Sequence, residues 1–160
     1  MARNVPPIRV YADTSVFGGV FDAEFSEATN RLFAQIRAGE FRLVHSVLIE
    51  LELTPAPERV RAFFQSVRGS SETVDISDQA VDLRERYLEA GIVSPSSETD
   101  ALHVAIATIA RCPIIVSWNF KHIVHQQKIP LYNDVNVRAG YATIQIHSPP
   151  EVIWYDEEGI

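Results

Sequence analysis

Three acids in this sequence have the type and setting for chemistry: Asp13, Glu52 and Asp100. Asp13 ends the apolar run Ile8-Arg9-Val10-Tyr11-Ala12, and Asp100 opens a long apolar stretch, Ala101 to Ala110. A fourth polar residue, Asn119, follows the run Ile114-Ile115-Val116 in a similar place. Carboxylates gathered at one point repel each other and hold protons unless a cation neutralises them. Hard oxygen ligands of this kind suit Mg²⁺ or Mn²⁺. The chemistry predicted is metal-dependent hydrolysis of a phosphodiester.

The elements that must position these residues alternate strand and helix. Residues 8–12 read as a strand. Residues 24–38 keep a helical period through Phe25, Ala28, Leu32, Phe33 and Ile36, with Gly39 suited to the position after the last turn. Residues 41–45 read as a second strand, and Ser46 is placed to cap a helix over 47–54, stopped by Pro55 and Pro57. A helix over 58–67, a weak strand at 73–76 and a helix capped by Ser77 and ending before Gly91 follow. The helix over 98–111 is apolar all round and is expected to be buried. Beyond it come a strand at 113–117, short helices at 120–127 and 133–140, a strand at 143–147 and an acidic tail. Strands alternating with helices predict a parallel sheet covered on both faces. Such sheets bind ligands beyond the carboxyl ends of their strands, where Asp13 and Asn119 fall.

Each candidate has a competing structural role. At about 100° per residue, Val47, Leu48, Ile49, Leu51 and Leu53 span a wide apolar arc. Glu52 falls near its centre and Glu50 opposite, so Glu52 is expected to need a partner, a metal or an arginine, and Glu50 to be solvated. Ser97-Glu98-Thr99-Asp100 matches a capping box, which would employ Asp100 structurally. Glu98 is a weaker candidate for an additional ligand. Asp13-Thr14-Ser15 fits an Asx turn or cap, and Asn119 could cap a helix from Phe120. His122 and His125 are three apart without further zinc-site support, and His103 reads as a satisfied core histidine.

Composition narrows the classes. The chain has 160 residues, 46% hydrophobic and 22% charged, which predicts one globular domain, residues 1–147, followed by a tail, 148–160. No apolar run approaches the roughly 20 residues of a membrane span. The opening Met-Ala-Arg-Asn-Val-Pro-Pro lacks a leader's apolar core, so a cytoplasmic protein is expected. The single cysteine, Cys112, excludes an internal disulfide and a cysteine-based zinc site, and it reads as a buried thiol. A net charge of −7 argues against holding nucleic acid by bulk electrostatics. It leaves room for a nuclease whose bound cations cancel charge locally. Of the 14 basic residues 12 are arginine, suited to forked phosphate contacts. No dinucleotide fingerprint, phosphate-binding loop or nucleophile elbow occurs.

Four segments together carry a family likeness. Tyr11-Ala12-Asp13-Thr14-Ser15-Val16-Phe17 resembles the opening motif of PIN-domain ribonucleases. Ser46 to Leu53 resembles their second motif, Asp100-Ala101-Leu102-His103-Val104-Ala105 their third, and Ser117-Trp118-Asn119-Phe120-Lys121-His122-Ile123 their fourth, a Ser/Thr-x-Asp pattern. Many such proteins are VapC-like toxins of type II toxin–antitoxin systems. The resemblance implies a PIN-like three-layer α/β/α domain with a central parallel sheet of about four to five strands. It further implies Mg²⁺- or Mn²⁺-dependent RNA cleavage, a small antitoxin partner and a homodimer. It places Asp13, Glu52 and Asp100 as metal ligands and Asn119 with them as a catalytic residue, although the pattern usually has aspartate there. Asn119 would orient a water or complete the metal's shell, Thr14, Ser15 and Ser117 would fix the ligands, and Lys121 would meet a substrate phosphate.

Two other classes compete. One is a non-catalytic PIN-fold module kept for protein binding, with Asn119 as the sign of lost activity. The other is a phosphatase built on a strand-end aspartate, which usually needs a second acid two residues later, where this chain has Ser15.

Overall fold

The computed structural model describes residues 6–154. The first five residues of the opening stretch, and residues 155–160 of the expected tail, lie outside them. Among the described residues no helix is long and apolar enough to cross a membrane.

Five strands form one parallel sheet: β1 Ile8–Ala12, β2 Phe41–Ser46, β3 Glu72–Val74, β4 Ile114–Val116 and β5 Gln145–His147, in the order β3-β2-β1-β4-β5. The inner strands are buried on both faces, which is why β1, β2 and β4 read as near-continuous apolar runs. The chain builds outward from β1 to β3, then returns to the other side of β1 for β4. The order therefore reverses between β1 and β4, where Ala12 pairs with Val116 and the Asp13 amide donates to the Val116 carbonyl at 3.2 Å. A reversal of this kind opens a crevice at the strands' carboxyl ends.

Among the described residues eight α-helices cover the sheet: α1 Thr14–Gly19, α2 Ser26–Arg37, α3 Val47–Leu53, α4 Glu58–Arg68, α5 Asp78–Glu89, α6 Glu98–Ile109, α7 Ile129–Arg138 and α8 Pro149–Val152. Helices α1 to α4 pack among themselves, with α8 on α2, while α5 packs on α6 and α7. On the first side Phe17 meets Phe64 edge-on at 5.2 Å and Phe33 meets Phe63 at 4.7 Å. On the second, Tyr87 and Tyr132 cross at 4.9 Å, and the Tyr87 hydroxyl donates to Asn136 Oδ1. Helix α6 buries every residue from Ala101 to Thr108, as its all-round apolar sequence requires.

The structure corrects several expectations. Helix α1 was not anticipated, because Thr-Ser-Val-Phe-Gly-Gly is short and glycine-rich; burial of Val16 and Phe17 holds it. The helix expected over 24–38 starts at Ser26, and α7 starts at Ile129 rather than 133, with a proline in its first turn. Residues 120–127 form turns instead of a helix. There Asn119 Oδ1 and His125 Nδ1 accept backbone amides, competing with helical bonds. Residues 149–152 of the expected tail form α8, closed by a capping box between Ser148 and Glu151. Cys112 is buried, and burial pushes its thiol up to about 11.

Candidate active site

Asp13 leaves β1 at the crevice and precedes the first residue of α1. It is 4% exposed, and its carboxylate makes no cap bond to the helix. Both oxygens face hydroxyls instead: Ser15 Oγ donates to Oδ1 at 2.5 Å and Ser117 Oγ to Oδ2 at 2.7 Å. Each hydroxyl in turn accepts a backbone amide from the segment after β4. Trp118 N donates to Ser15 Oγ and Asn119 N to Ser117 Oγ, both at 2.9 Å. With an amide proton pointing at each oxygen, the hydroxyl protons are left for Asp13. An ionised carboxylate accepts on both oxygens, so the clamp favours the charged form. Burial works the other way and pushes the Asp13 carboxyl above its ordinary value, helped by the charge of Glu52; His103 and the two hydroxyls act against the rise.

The segment behind the clamp is itself fixed. The Trp118 indole stacks on Phe25 at 4.1 Å and donates to Thr29 Oγ1 at 2.9 Å. Gly19 permits this approach, since a Cβ there would stand 2.7 Å from the indole nitrogen.

Glu52, on α3, turns toward α1 and α6. Its Oε1 accepts from Thr14 Oγ1 at 2.7 Å and pairs with His103 Nε2 at 2.5 Å. Burial raises its carboxyl, but the His103 and Thr14 bonds outweigh that and leave it below the ordinary value. The apolar arc drawn from the sequence was too wide: Leu51 is 61% exposed, and the Glu52 side chain is half-buried rather than central. The partner is a histidine, not an arginine. Glu50 points away, paired with Arg68 at 2.9 Å and 3.5 Å from the His45 ring, so it is not simply solvated. It lines a groove of about 490 Å³ between α3 and α4 with Leu53, Arg61 and Phe64.

Asp100 stands half-buried in the first turn of α6. The capping box proposed for it does not form: the Ser97 hydroxyl pairs with His122 Nε2 at 3.2 Å and makes no cap bond. Asp100 lies near the Tyr132 phenol, which burial pushes well above its ordinary value, with the charges of Tyr87 and Asp100 adding to the rise. Glu98 is exposed beside it. Asn119 spends its amide oxygen locally, accepting the amides of His122 at 2.9 Å and Lys121 at 3.2 Å. Lys121 is exposed on this turn.

The fold thus brings Asp13, Glu52, Thr14, Ser15 and Ser117 together, joins Asn119 to them through its backbone amide, and shows no contact of Asp100 or Lys121 with the cluster among the described residues. Among the described residues no three His, Cys, Asp or Glu side chains converge closely enough to hold one ion. By donor chemistry the Asp13–Glu52 pair still fits a hard cation: both supply carboxylate oxygens, and the Glu52 charge helps to raise the Asp13 carboxyl, an effect that a cation would offset. Sequence reasoning missed Tyr11, Ser46 and His103 as part of this cluster. His103 is buried and satisfied, as expected of a core histidine, yet one of its partners is Glu52. The available signal was its position three residues after Asp100, a helical neighbour on the same side.

No family model and no curated protein matches the sequence. Solved structures do match. A chain of the VapBC2 complex from Rickettsia felis, bound to a DNA fragment from its promoter, superposes with a TM-score of 0.56 at 12% identity, over 88% of this chain and 98% of that one. A chain of the DNA-bound VapBC of Salmonella typhimurium gives 0.55 at 17% identity, over 89% and 98%. A chain of a toxin–antitoxin complex from Klebsiella pneumoniae gives 0.55 at 12% identity, over 74% and 93%. At these identities what is held in common is the architecture, and with its five-stranded parallel sheet between helices this chain has a PIN-like α/β/α fold.

Proposed function

We infer that this chain is a Mg²⁺- or Mn²⁺-dependent endoribonuclease, the toxin of a toxin–antitoxin pair. The observation that carries the reading is the double hydroxyl clamp on Asp13, at the strand-order reversal and beside Glu52. Asp13, Glu52 and Asp100 would hold the ion. When bound, it supplies a water of lowered pKa and neutralises charge on the phosphate. The chain's own residues prepare that site. Ser15 and Ser117 keep both Asp13 oxygens oriented, Thr14 and His103 do the same for Glu52, and Asn119 keeps the turn that carries Lys121 toward a phosphate. Similarity to chains of VapBC and toxin–antitoxin complexes supports a small antitoxin as partner. A homodimer working in the cytoplasm completes the proposal.

The test is cleavage of a mixed RNA pool by the purified chain with Mn²⁺, with Mg²⁺ and with EDTA. Metal-dependent cleavage that Asp13→Asn abolishes is the expected result. Failure to cleave together with failure to bind Mn²⁺ would favour the second reading, a non-catalytic PIN-fold module. That reading is favoured by two observations: no three ligands converge among the described residues, and the Asn119 oxygen is committed to its turn. A strand-end-aspartate phosphatase is disfavoured, because Ser15 stands where its second acid is needed and donates to Asp13.

A further inference from the structure

Behind Glu52 lies a line of hydrogen bonds running into the core. Ser46 Oγ meets the Tyr11 hydroxyl at 2.7 Å, and that hydroxyl meets His103 Nδ1 at 2.8 Å. His103 Nε2 meets Glu52 Oε1 at 2.5 Å, where Thr14 also donates. Ser46 and Tyr11 are fully buried and His103 is 2% exposed. Three elements supply the line: β1 gives Tyr11, Ser46 sits where β2 passes into α3, and α6 gives His103. Ser46 was expected to cap α3; it makes no cap bond and serves this line instead.

With the imidazole uncharged, the direction of every proton follows from the end of the line. An ionised carboxylate only accepts, so the short contact to Glu52 needs a proton on Nε2. In the uncharged ring Nδ1 is then a bare acceptor, and the Tyr11 hydroxyl must donate to it. The Tyr11 oxygen in turn accepts from Ser46. All the protons then point toward Glu52: the carboxylate sets the hydrogen on Nε2, and the Tyr11 hydroxyl, donating to Nδ1, supports that tautomer.

We propose that His103 is a positioning residue for Glu52, with Tyr11 and Ser46 fixing its ring and supporting its Nε2–H tautomer. The proposal rests on the reading of Glu52 as a metal ligand, and it adds what holds that ligand in place. A carboxylate held on one oxygen by Thr14 and His103 is already ordered, so part of the cost of fixing the ligand is met before an ion arrives. Partners of this kind typically change metal affinity by about 10- to 100-fold when removed.

The experiment uses the full chain and two readouts. Nitrogen-15 shifts of the histidine rings in the metal-free protein at pH 8, with the His103 signal assigned by its loss in His103→Gln, report the tautomer. The expected wild-type result is protonated Nε2 and bare Nδ1, with the Nδ1 signal shifted in Tyr11→Phe, where its hydrogen-bond donor is gone. A wild-type ring protonated at Nδ1 overturns the proposal. Calorimetric Mn²⁺ titration is the second readout. His103→Leu is expected to lose about 10- to 100-fold in affinity. His103→Gln, whose amide N–H reaches the place of Nε2, is expected to recover part of it. If folded His103→Leu binds Mn²⁺ as the wild type does, the positioning role is wrong. If His103→Leu does not fold, Tyr11→Phe decides, since it keeps the packed ring and removes only the hydroxyl: unchanged affinity and an unchanged Nδ1 shift there also overturn the proposal. A wild type that binds no Mn²⁺ refutes the metal reading instead, and the ring shifts still decide the tautomer.

Discussion

Ser117 and Asp13, 104 positions apart in sequence, are joined by a 2.7 Å hydrogen bond across the point where β1 and β4 lie side by side. The Ser117 oxygen also takes the amide of Asn119. Removing the hydroxyl therefore strands two polar groups at once, a buried carboxylate oxygen and a backbone N–H. Ser117→Ala is expected to cost about 1–3 kcal/mol in urea unfolding, the range for an unsatisfied buried group. Ser15→Ala, which strands Asp13 and the Trp118 amide, should fall in the same range. A loss near zero in both variants would mean that the clamp does not hold Asp13.

Burial makes Asp13 a liability to folding, and its pH dependence has a definite sign. Its folded-state carboxyl is raised above the ordinary value of 3.8. The folded state thus holds the proton more tightly than the unfolded one, and stability is lost as pH rises from that ordinary value through the raised one. Asp13→Asn cannot ionise and escapes this loss. The variant's stability relative to wild type should be highest at neutral pH and decline as the pH falls toward 4. Urea unfolding of both proteins from pH 4 to 8 measures it. A gap that widens on acidification would contradict the raised carboxyl.

The two glutamates of α3 should separate cleanly. Glu52→Gln is expected to abolish RNA cleavage and weaken Mn²⁺ binding by at least about tenfold. Glu50→Gln loses a half-exposed pair with Arg68, worth about 0–1 kcal/mol, and the charge facing the His45 ring at 3.5 Å, both away from the Asp13–Glu52 cluster, and should leave both readouts unchanged. Cleavage lost with Glu50→Gln and kept with Glu52→Gln would transfer the site to the α3–α4 groove.

For Asn119 the geometry predicts that a carboxylate is tolerated and a methyl group is not. Asn119→Asp still presents an oxygen to the amides of Lys121 and His122, so its melting temperature should stay near that of wild type. Asn119→Ala removes the acceptor and should cost about 1 kcal/mol, the usual penalty for losing a local oxygen cap. If Asn119→Asp also lowers the Mg²⁺ concentration needed for half-maximal cleavage, the new charge has joined the metal's surroundings.

The parts of this fold legible in the sequence were those whose patterns are enforced by burial. Val10-Tyr11-Ala12 and Ile114-Ile115-Val116 read as strands because both faces of an inner parallel strand are covered. Helix α5 announced itself through Ser77, which accepts the amide of Ala80 as an N-cap should. Helix α1 was illegible because tertiary contacts of Phe17, not local propensity, stabilise it. The turns after Asn119 were illegible because side-chain acceptors displaced helical bonds that the residue types allowed. In the site, Asp13 could be placed from its strand, and helical angle set Glu52 and Glu50 on opposite sides, although the two side chains are equally half-buried rather than one buried and one solvated. What could not be read was the company they keep. Neither the choice of His103 as the Glu52 partner nor the diversion of Ser46 from capping to Tyr11 leaves any local trace, since both depend on three separate elements meeting.

The strand order also sets when during synthesis the site can exist. A ribosome delivers β1, β2 and β3 with their helices first, and by then Asp13 and Glu52 are already present. The Ser117 hydroxyl and the amides of Trp118 and Asn119 arrive only with the return strand β4, and β5 must follow on its outer side. A nascent or prematurely terminated chain that stops before β4 holds the acids and Ser15 but lacks the second hydroxyl, Ser117, and the two amides that fix the clamp. Under the proposed activity such a chain would carry its metal-binding acids with Asp13 only half clamped.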